Sequence, residues 1–342
     1  MALLSIRDLM AHFETPRGTV YAVDGVNLDI GSGETVGLVG ESGCGKSTLG
    51  KAILRLIEPN FGSIVLDSVD ITHLKRRQLA RHRHKVQMIF QDPYASLNPR
   101  ATVGRIIEEP LMVNGWGSDR ERKERVAWLL EKVGLPTDSL KRHPHEYSGG
   151  QRQRIGIARA IALNPKIVIC DEAVSALDVS IRAQIINLLT DLRDELGLSY
   201  LFIAHDLSVV EHIADRVCVM YLGKIVEIAE RERLWAMPLH PYTQILMAAV
   251  PVLDPKIARE RKKIIPRDEL PSPLNPPGGC RFHTRCPYAQ PKCRDEEPPL
   301  RPLQGRQSVA CHLVTEQADG SIAYPTMAAE AAPKNDVRGA PA

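Results

Sequence analysis

Residues 40 to 48 read Gly40-Glu41-Ser42-Gly43-Cys44-Gly45-Lys46-Ser47-Thr48, a G-x-x-x-x-G-K-[ST] pattern. Glycines let a backbone curl until successive N–H groups point inward at phosphate oxygens. A helix that begins there adds the partial positive charge of its N-terminus. Lys46 then reaches the outer phosphates as a point charge, and Ser47 offers a hydroxyl to Mg²⁺. A second group, Ile167-Val168-Ile169-Cys170-Asp171-Glu172, sets two carboxylates after an apolar run. A buried parallel strand of this kind delivers Asp171 to the metal, directly or through water, and Glu172 to the terminal phosphate. There Glu172 can orient or deprotonate an attacking water. Plain acidic capping of a strand end would spell the same letters, but the intact phosphate loop favours the chemical reading.

A third group is Tyr147-Ser148-Gly149-Gly150-Gln151-Arg152-Gln153-Arg154. Its Ser-Gly-Gly turn opens a helix, which makes a second anion site. One nucleotide has no use for two cradles in one chain. Two chains packed head to tail would use both, each supplying Ser148, Gly149, Gly150 and Gln151 to the nucleotide held by the other. A fourth group is cysteine-based. Of seven cysteines, Cys44, Cys170 and Cys218 are scattered, whereas Cys280-x₅-Cys286-x₆-Cys293-x₁₇-Cys311 lie together. An odd total argues against a full disulfide framework, and the clustering suggests a metal site. Four thiolates can close a tetrahedral zinc site, with His283 or His312 as further donors, or hold an iron–sulfur cluster. The lack of a C-x₂-C pair weakens the zinc-ribbon reading.

The elements that must position these groups read as α/β. Val36 to Val39 is a short strand before Gly40, and Ser47 to Ile57 carries helical periodicity through Leu49, Ala52, Ile53, Leu56 and Ile57. Ile64 to Leu66 and Val86 to Phe90 are further strands. Ser118 to Val133, Gln151 to Leu163 and Ile181 to Leu196 read as helices, and Ile167 to Cys170 and Tyr200 to Ala204 as strands. Cys218 to Leu222 and Ile225 to Ile228, around Gly223-Lys224, form a hairpin. Strands alternating with helices imply a largely parallel central sheet. We expect a nucleotide-binding unit over residues 1–236 with a mostly helical insertion at about 92–158. A smaller unit follows at 237–314, in which a linker-like region punctuated by Pro251, Pro255, Pro266, Pro271, Pro273, Pro276 and Pro277 precedes the cysteine cluster. The Ala- and Pro-rich stretch 315–342 reads as a disordered tail.

The whole chain, 342 residues with 44% hydrophobic and 25% charged residues, has ordinary globular usage. Its net charge of +3, from 44 basic and 41 acidic residues, gives no bulk reason to expect nucleic acid as a partner. No apolar run approaches the ~20 residues of a membrane span. Arg7 and Asp8 interrupt the first segment, so a cleaved leader is not expected and the chain should stay in the cytoplasm.

Together these motifs resemble the nucleotide-binding subunits of ATP-binding-cassette (ABC) transporters, with Ser148-Gly149-Gly150-Gln151 matching that family's signature. The resemblance implies a P-loop cassette with a mostly parallel sheet, an antiparallel N-terminal β-subdomain and a helical insertion. It implies ATP and Mg²⁺ as ligands. Gln91 matches the Q-loop glutamine that contacts Mg²⁺ and the attacking water, and Ser175-Ala176-Leu177-Asp178 matches the D-loop at the dimer interface. His205 matches the histidine that contacts the γ-phosphate. An aromatic residue stacks on adenine, and Phe13 is preferred here over Tyr21.

Two stretches go further. Gln91-Asp92-Pro93-Tyr94-Ala95-Ser96-Leu97-Asn98-Pro99-Arg100 and His240-Pro241-Tyr242-Thr243 resemble the ATPases of oligopeptide and dipeptide importers, of the second subunit type. This resemblance implies a sister or identical ATPase partner, two membrane permeases, an external solute-binding protein and a place on the cytoplasmic face of the membrane. It makes [4Fe–4S] the first reading for the four cysteines. Related engines carry nickel or oligosaccharides. A soluble ABC ATPase is disfavoured, because it would carry two cassettes or a coiled-coil insertion, and a P-loop kinase has no use for the signature.

Overall fold

A computed structural model describes residues 2–250 and 271–325. The linker prolines Pro251, Pro255 and Pro266, and the tail from residue 326, lie outside the described residues.

Two sheets carry the fold. The chain opens with β1 (Leu4–Thr15) and β2 (Gly18–Ile30), an antiparallel pair joined by a tight turn, and continues into β3 (Thr35–Val39). After the first helix come β4 (Phe61–Leu66), β5 (Val69–Asp70) and β6 (Val86–Ile89). The first sheet has the order β2-β1-β4-β5 and is antiparallel throughout. The other strands are β7 (Ile167–Asp171), β8 (Ser199–Ala204), β9 (Arg216–Tyr221), β10 (Lys224–Glu230), β11 (Arg301–Leu303) and β12 (Gln307–Val309). They build an eight-stranded sheet in the order β11-β12-β10-β9-β3-β8-β7-β6. From β9 to β6 every pairing is parallel.

Sequence explains why the central strands sit there. Every residue of β3, β7 and β8 is buried. A strand covered on both faces reads as a continuous apolar run rather than an alternation, as Ile167 to Cys170 does. The hairpin of β9 and β10 turns at Leu222-Gly223, with Gly223 at φ 82°. The insertion is helical. Helix Val103–Val113 and helix Asp119–Lys132 pack Ile106, Ile107, Leu111, Leu129 and Leu130 into the core that also takes Ile155 and Ile157 of helix Gly149–Ile161. Ser118 and Glu121 close a capping box at the start of the second of these helices. The expected helix boundaries differ from the observed ones by a few residues, as fraying ends do.

The C-terminal segment packs on the cassette. β12 pairs with β10, matching Glu227 with Val309, and so lengthens the central sheet. Residues 315–325, expected within a disordered tail, are ordered: Thr315–Glu316 pairs with Ile322–Ala323, and Gln244 donates to the Pro325 carbonyl at 2.7 Å.

Glu227 is the pin of this junction. Its buried carboxylate accepts from Leu239 N and His240 N, each at 2.9 Å, and from Gln307 Nε2 at 2.7 Å. His240 caps helix Pro241–Ala248 by accepting from Tyr242 N at 3.1 Å. It is 1% exposed. Burial pulls the His240 pKa down from 6.5 to about 3, which keeps the ring neutral. An unfolded histidine binds a proton below pH 6.5, whereas the folded one resists it. His240 therefore contributes stability that is present above pH 6.5 and is lost as the pH falls toward 3. Urea unfolding across that window should show a steeper acid loss in the wild type than in His240→Asn, which keeps a capping acceptor without the titration. Parallel slopes for the two proteins would refute the assignment.

Candidate active site

The phosphate loop links β3 to helix Lys46–Ile53. Gly45 sits at φ 109°, and a Cβ there would lie 1.9 Å from the Ala22 carbonyl oxygen. Only glycine fits, because β2 runs directly under the loop. Lys46 is 4% exposed and donates from Nζ to Gly40 O at 2.8 Å and to Glu41 O at 2.9 Å. The loop opens on a cavity of about 360 Å³. Ser42, Gly43, Gly45, Lys46, Ser47 and Thr48 form one wall, Phe13, Val20 and Ala22 another, and Gln91 and Glu172 the floor.

Four expected ligand residues of β2 and the loop stand off this lining. Gly40 and Glu41, which open the loop, turn their carbonyls to Lys46 Nζ. Cys44 is 1% exposed, and burial pushes its thiol pKa up, so its side chain fills core. Tyr21 sets its ring edge-on to His12, with centroids 4.7 Å apart. Phe13 is the aromatic side chain on the cavity wall, 37% exposed.

β7 delivers the carboxylates as its sequence suggests. Asp171 is the last residue of the strand and accepts a 2.6 Å hydrogen bond from Ser47 Oγ. Burial raises the Asp171 pKa and outweighs the Ser47 bond and the pull of Lys51 and Lys46. Glu172 follows at φ 46°, a left-handed conformation that is costly for a residue with a side chain. Its N–H donates to Ile203 O at 3.0 Å, which ties it to β8. Gln91 Nε2 donates to Glu172 Oε2 at 2.9 Å, and His205 Nδ1 stands 3.6 Å from the same oxygen. One carboxylate oxygen thus meets an amide and an imidazole, while the carboxylate itself lies on the cavity floor. Such a group can hold a water against a phosphate held by the loop.

The Ser-Gly-Gly group is elsewhere. Ser148 caps helix Gly149–Ile161, and Gln151 Oε1 accepts from Ser148 N at 3.0 Å in a capping box. Ser148 and Gln151 are exposed. A Cβ on Gly150 would come within 2.5 Å of Ile181 Cγ2, so glycine lets this helix pack closely on helix Val179–Leu196. Asp178, also exposed, precedes that second helix. Among the described residues lining the cavity, none comes from Ser148 to Gln151 or is Asp178.

The four clustered cysteines share one neighbourhood. The thiols of Cys286, Cys293 and Cys311 act electrostatically on Cys280, and Cys280 N donates to Cys293 O at 2.9 Å. Yet among the described residues no group of three or more His, Cys, Asp or Glu side chains is disposed to hold a metal ion. The expectation of an iron–sulfur or zinc site is therefore not carried by the geometry. Burial pushes the Cys280 pKa up to about 12 and that of Cys286 to about 11, so these thiols stay protonated without a cation beside them.

Sequence reading missed the C-terminal contribution to the site. Pro273 closes one side of the cavity and accepts from Tyr21 N at 3.1 Å. Tyr242 and Arg285 reach Glu41. A turn proline and a lone arginine carry no local signal for such a role.

The raised Asp171 pKa has a consequence that can be measured. An acid whose folded pKa exceeds its unfolded one favours the folded state below the unfolded pKa, and that advantage is lost as pH rises through the folded value. At neutral pH Asp171 therefore costs the ligand-free protein stability. Asp171→Asn should raise the ligand-free melting temperature by a few degrees and remove the extra stabilisation that Mg²⁺ adds to ATP. A lower melting temperature for the variant would contradict this account.

Known proteins can be set beside this geometry. Residues 23–175 match the ABC transporter family, and residues 226–293 match the C-terminal region of oligopeptide/dipeptide transporters. A probable peptide ABC transporter ATP-binding protein of Sinorhizobium fredii is 50% identical, over 97% of this chain and 96% of its own. The oligopeptide transport ATP-binding protein AppF of Bacillus subtilis is 51% identical, over 91% of this chain and 97% of its own. Among solved structures, a dimeric ATP-binding cassette in a post-hydrolysis state, bound to ADP and Pi, is 30% identical. It superposes with a TM-score of 0.62 over 67% of this chain and 98% of its own. From the nucleotide cavity to the C-terminal region, the chain belongs to the ATP-binding subunits of ABC transporters, in the oligopeptide/dipeptide import group.

Proposed function

We propose that this subunit hydrolyses ATP to drive uptake of peptides across the membrane, with the residues described above in specific roles. The observation that carries the reading is the meeting of three groups at one cavity: the Lys46 loop, Ser47 with Asp171 bonded to it from outside the lining, and Glu172 with Gln91 against it. The loop N–H groups from Gly43 to Thr48 and Lys46 would hold the phosphates. Ser47, Asp171 and Gln91 would hold Mg²⁺, which neutralises phosphate charge when bound. Glu172 holds the attacking water and draws its proton. Gln91 orients the same carboxylate, and His205 would donate to the γ-phosphate. Phe13 offers a ring to adenine.

Ser148 to Gln151 and Asp178 belong to a second nucleotide site in this reading. The exposure of Ser148, Gln151 and Asp178, the absence of the whole group from the cavity lining, and the dimeric structures among the matched cassettes support closure of two chains around two nucleotides. The second chain is a sister ATPase or another copy. Among the described residues no helix is long and apolar enough to cross a membrane, so two permease subunits would supply the path and an external binding protein the solute. The segment Asp92 to Arg100 and the exposed Phe90, Tyr94, Met112 and Val113 offer the insertion's docking face, on the cytoplasmic side. Peptides are favoured by the names of the relatives, with nickel or oligosaccharides as the alternative cargo. Residues 1–236 act as the engine and 237–314 as an attached extension.

Binding and chemistry separate in one variant. Glu172→Gln should bind MgATP as the wild type does, slow hydrolysis by about a hundred-fold or more, and form a stable ATP-dependent dimer. Hydrolysis at the wild-type rate would remove Glu172 from the base role.

The cysteine set is a finer reading. It rests on the sequence resemblance and on the shared neighbourhood of Cys280, Cys286, Cys293 and Cys311. Protein purified without oxygen should show a broad visible absorption and contain iron and sulfide if these thiols take a [4Fe–4S] cluster. Colourless protein containing zinc would favour the other metal, and metal-free protein would end both readings.

A further inference from the structure

Glu41, the second residue of the phosphate loop, is held at three points. Its N–H donates to Tyr242 Oη at 2.7 Å. Its carbonyl accepts from Lys46 Nζ at 2.9 Å. Its carboxylate accepts from Arg285 Nη1 at 3.1 and 2.9 Å. Two of these three partners come from the C-terminal extension, 201 and 244 positions along the chain.

Neither partner is a loose surface contact. Tyr242 is fully buried, and the Arg285 side chain is 7% exposed. The Tyr242 ring packs against Tyr221 at 4.7 Å and Phe282 at 5.5 Å between centroids. One turn before Arg285, Arg281 donates to Leu222 O and to Asp24. Asp24 lies on β2 beside Ala22, whose carbonyl bounds Gly45. The segment from Arg281 to Arg285 is thus wedged between β2, the β9–β10 turn and the phosphate loop.

Two physical effects follow. Tyr242 fixes the first peptide of the loop, so the loop's curl is set before ligand arrives. Arg285 also neutralises a carboxylate carried by the loop that faces a site for a polyanion. A bare Glu41 carboxylate there would repel the phosphates. We propose that Tyr242 and Arg285 are positioning residues of the ATPase site, through which the extension sets the affinity of the phosphate loop for nucleotide polyphosphates. This rests on the reading that the cavity takes MgATP.

The full-length chain tests it by calorimetric titration with MgATP and by steady-state ATPase assay. Arg285→Gln should weaken MgATP binding about ten-fold and raise KM to match, with kcat little changed. Arg285→Lys should recover most of the affinity, because it restores the charge. Glu41→Gln combined with Arg285→Gln should bind better than Arg285→Gln alone, because the uncompensated carboxylate is gone. Tyr242→Phe, which removes only a hydroxyl, should weaken binding with its melting temperature close to wild type. A merely structural role would lower the active fraction, and with it kcat, at constant KM. The proposal is overturned if folded Arg285→Gln and Tyr242→Phe keep the wild-type affinity and KM. It is also overturned if neither Arg285→Lys nor the paired substitution binds better than Arg285→Gln. If the wild-type chain binds no MgATP, the nucleotide reading itself fails, and that outcome is distinct from both.

Discussion

The parallel register of β3, β8 and β7 is the constraint on which the site depends. Val39 pairs with Ala204, and Ile203 pairs with Asp171. Parallel strands end on one edge of a sheet, so the residues that follow them collect there. The phosphate loop follows β3, His205 follows β8, and Glu172 follows β7. Gln91 arrives by the same rule, since β6 pairs with β7 and ends at Ile89. A one-residue slip in any of these pairings would turn a side chain of the site to the other face. Burial on both faces prevents that slip, because each of β3, β7 and β8 is covered throughout.

The same edge stores the costs of function. Asp171 is a carboxylate in a desolvated place, and Glu172 is held in a left-handed conformation. Neither would be chosen for stability. Both are over-determined by their surroundings, Asp171 by Ser47 and Glu172 by the Ile203 carbonyl and Gln91. A site of this kind is preorganised, and the strands beneath it bear the strain.

The C-terminal extension changes how the cassette is understood. By composition it is a proline-rich linker with a cysteine cluster. In space it lengthens the central sheet through β12, buries Glu227 in a closed set of hydrogen bonds, and brings Arg281, Phe282 and Arg285 against the cassette. The short span between Cys280 and Cys286 holds all three of those side chains, so these two cysteines bracket the segment that reaches the phosphate loop.

Much of this was legible in the sequence. The loop pattern, the apolar run ending in Asp171-Glu172 and the Ser-Gly-Gly helix start are local features, and local sequence determines turns, caps and short buried strands because each depends on neighbours a few residues apart. The choice between Phe13 and Tyr21 needed the fold, because both lie on strands whose facing side is set by pairing; the register of β1 against β2 puts Phe13 on the cavity and turns Tyr21 to His12. The cysteine spacing suggested a metal site, but spacing along the chain does not set how thiols are directed in space. The grip of Tyr242 and Arg285 on Glu41 was beyond sequence altogether. Those contacts join residues 201 and 244 positions apart, and no periodicity carries over such a distance. Sequence by itself determined the chemistry the loop and carboxylates can do. Tertiary structure alone decided which side chains hold them in place, because that depends on how the sheet and its extension close around the loop.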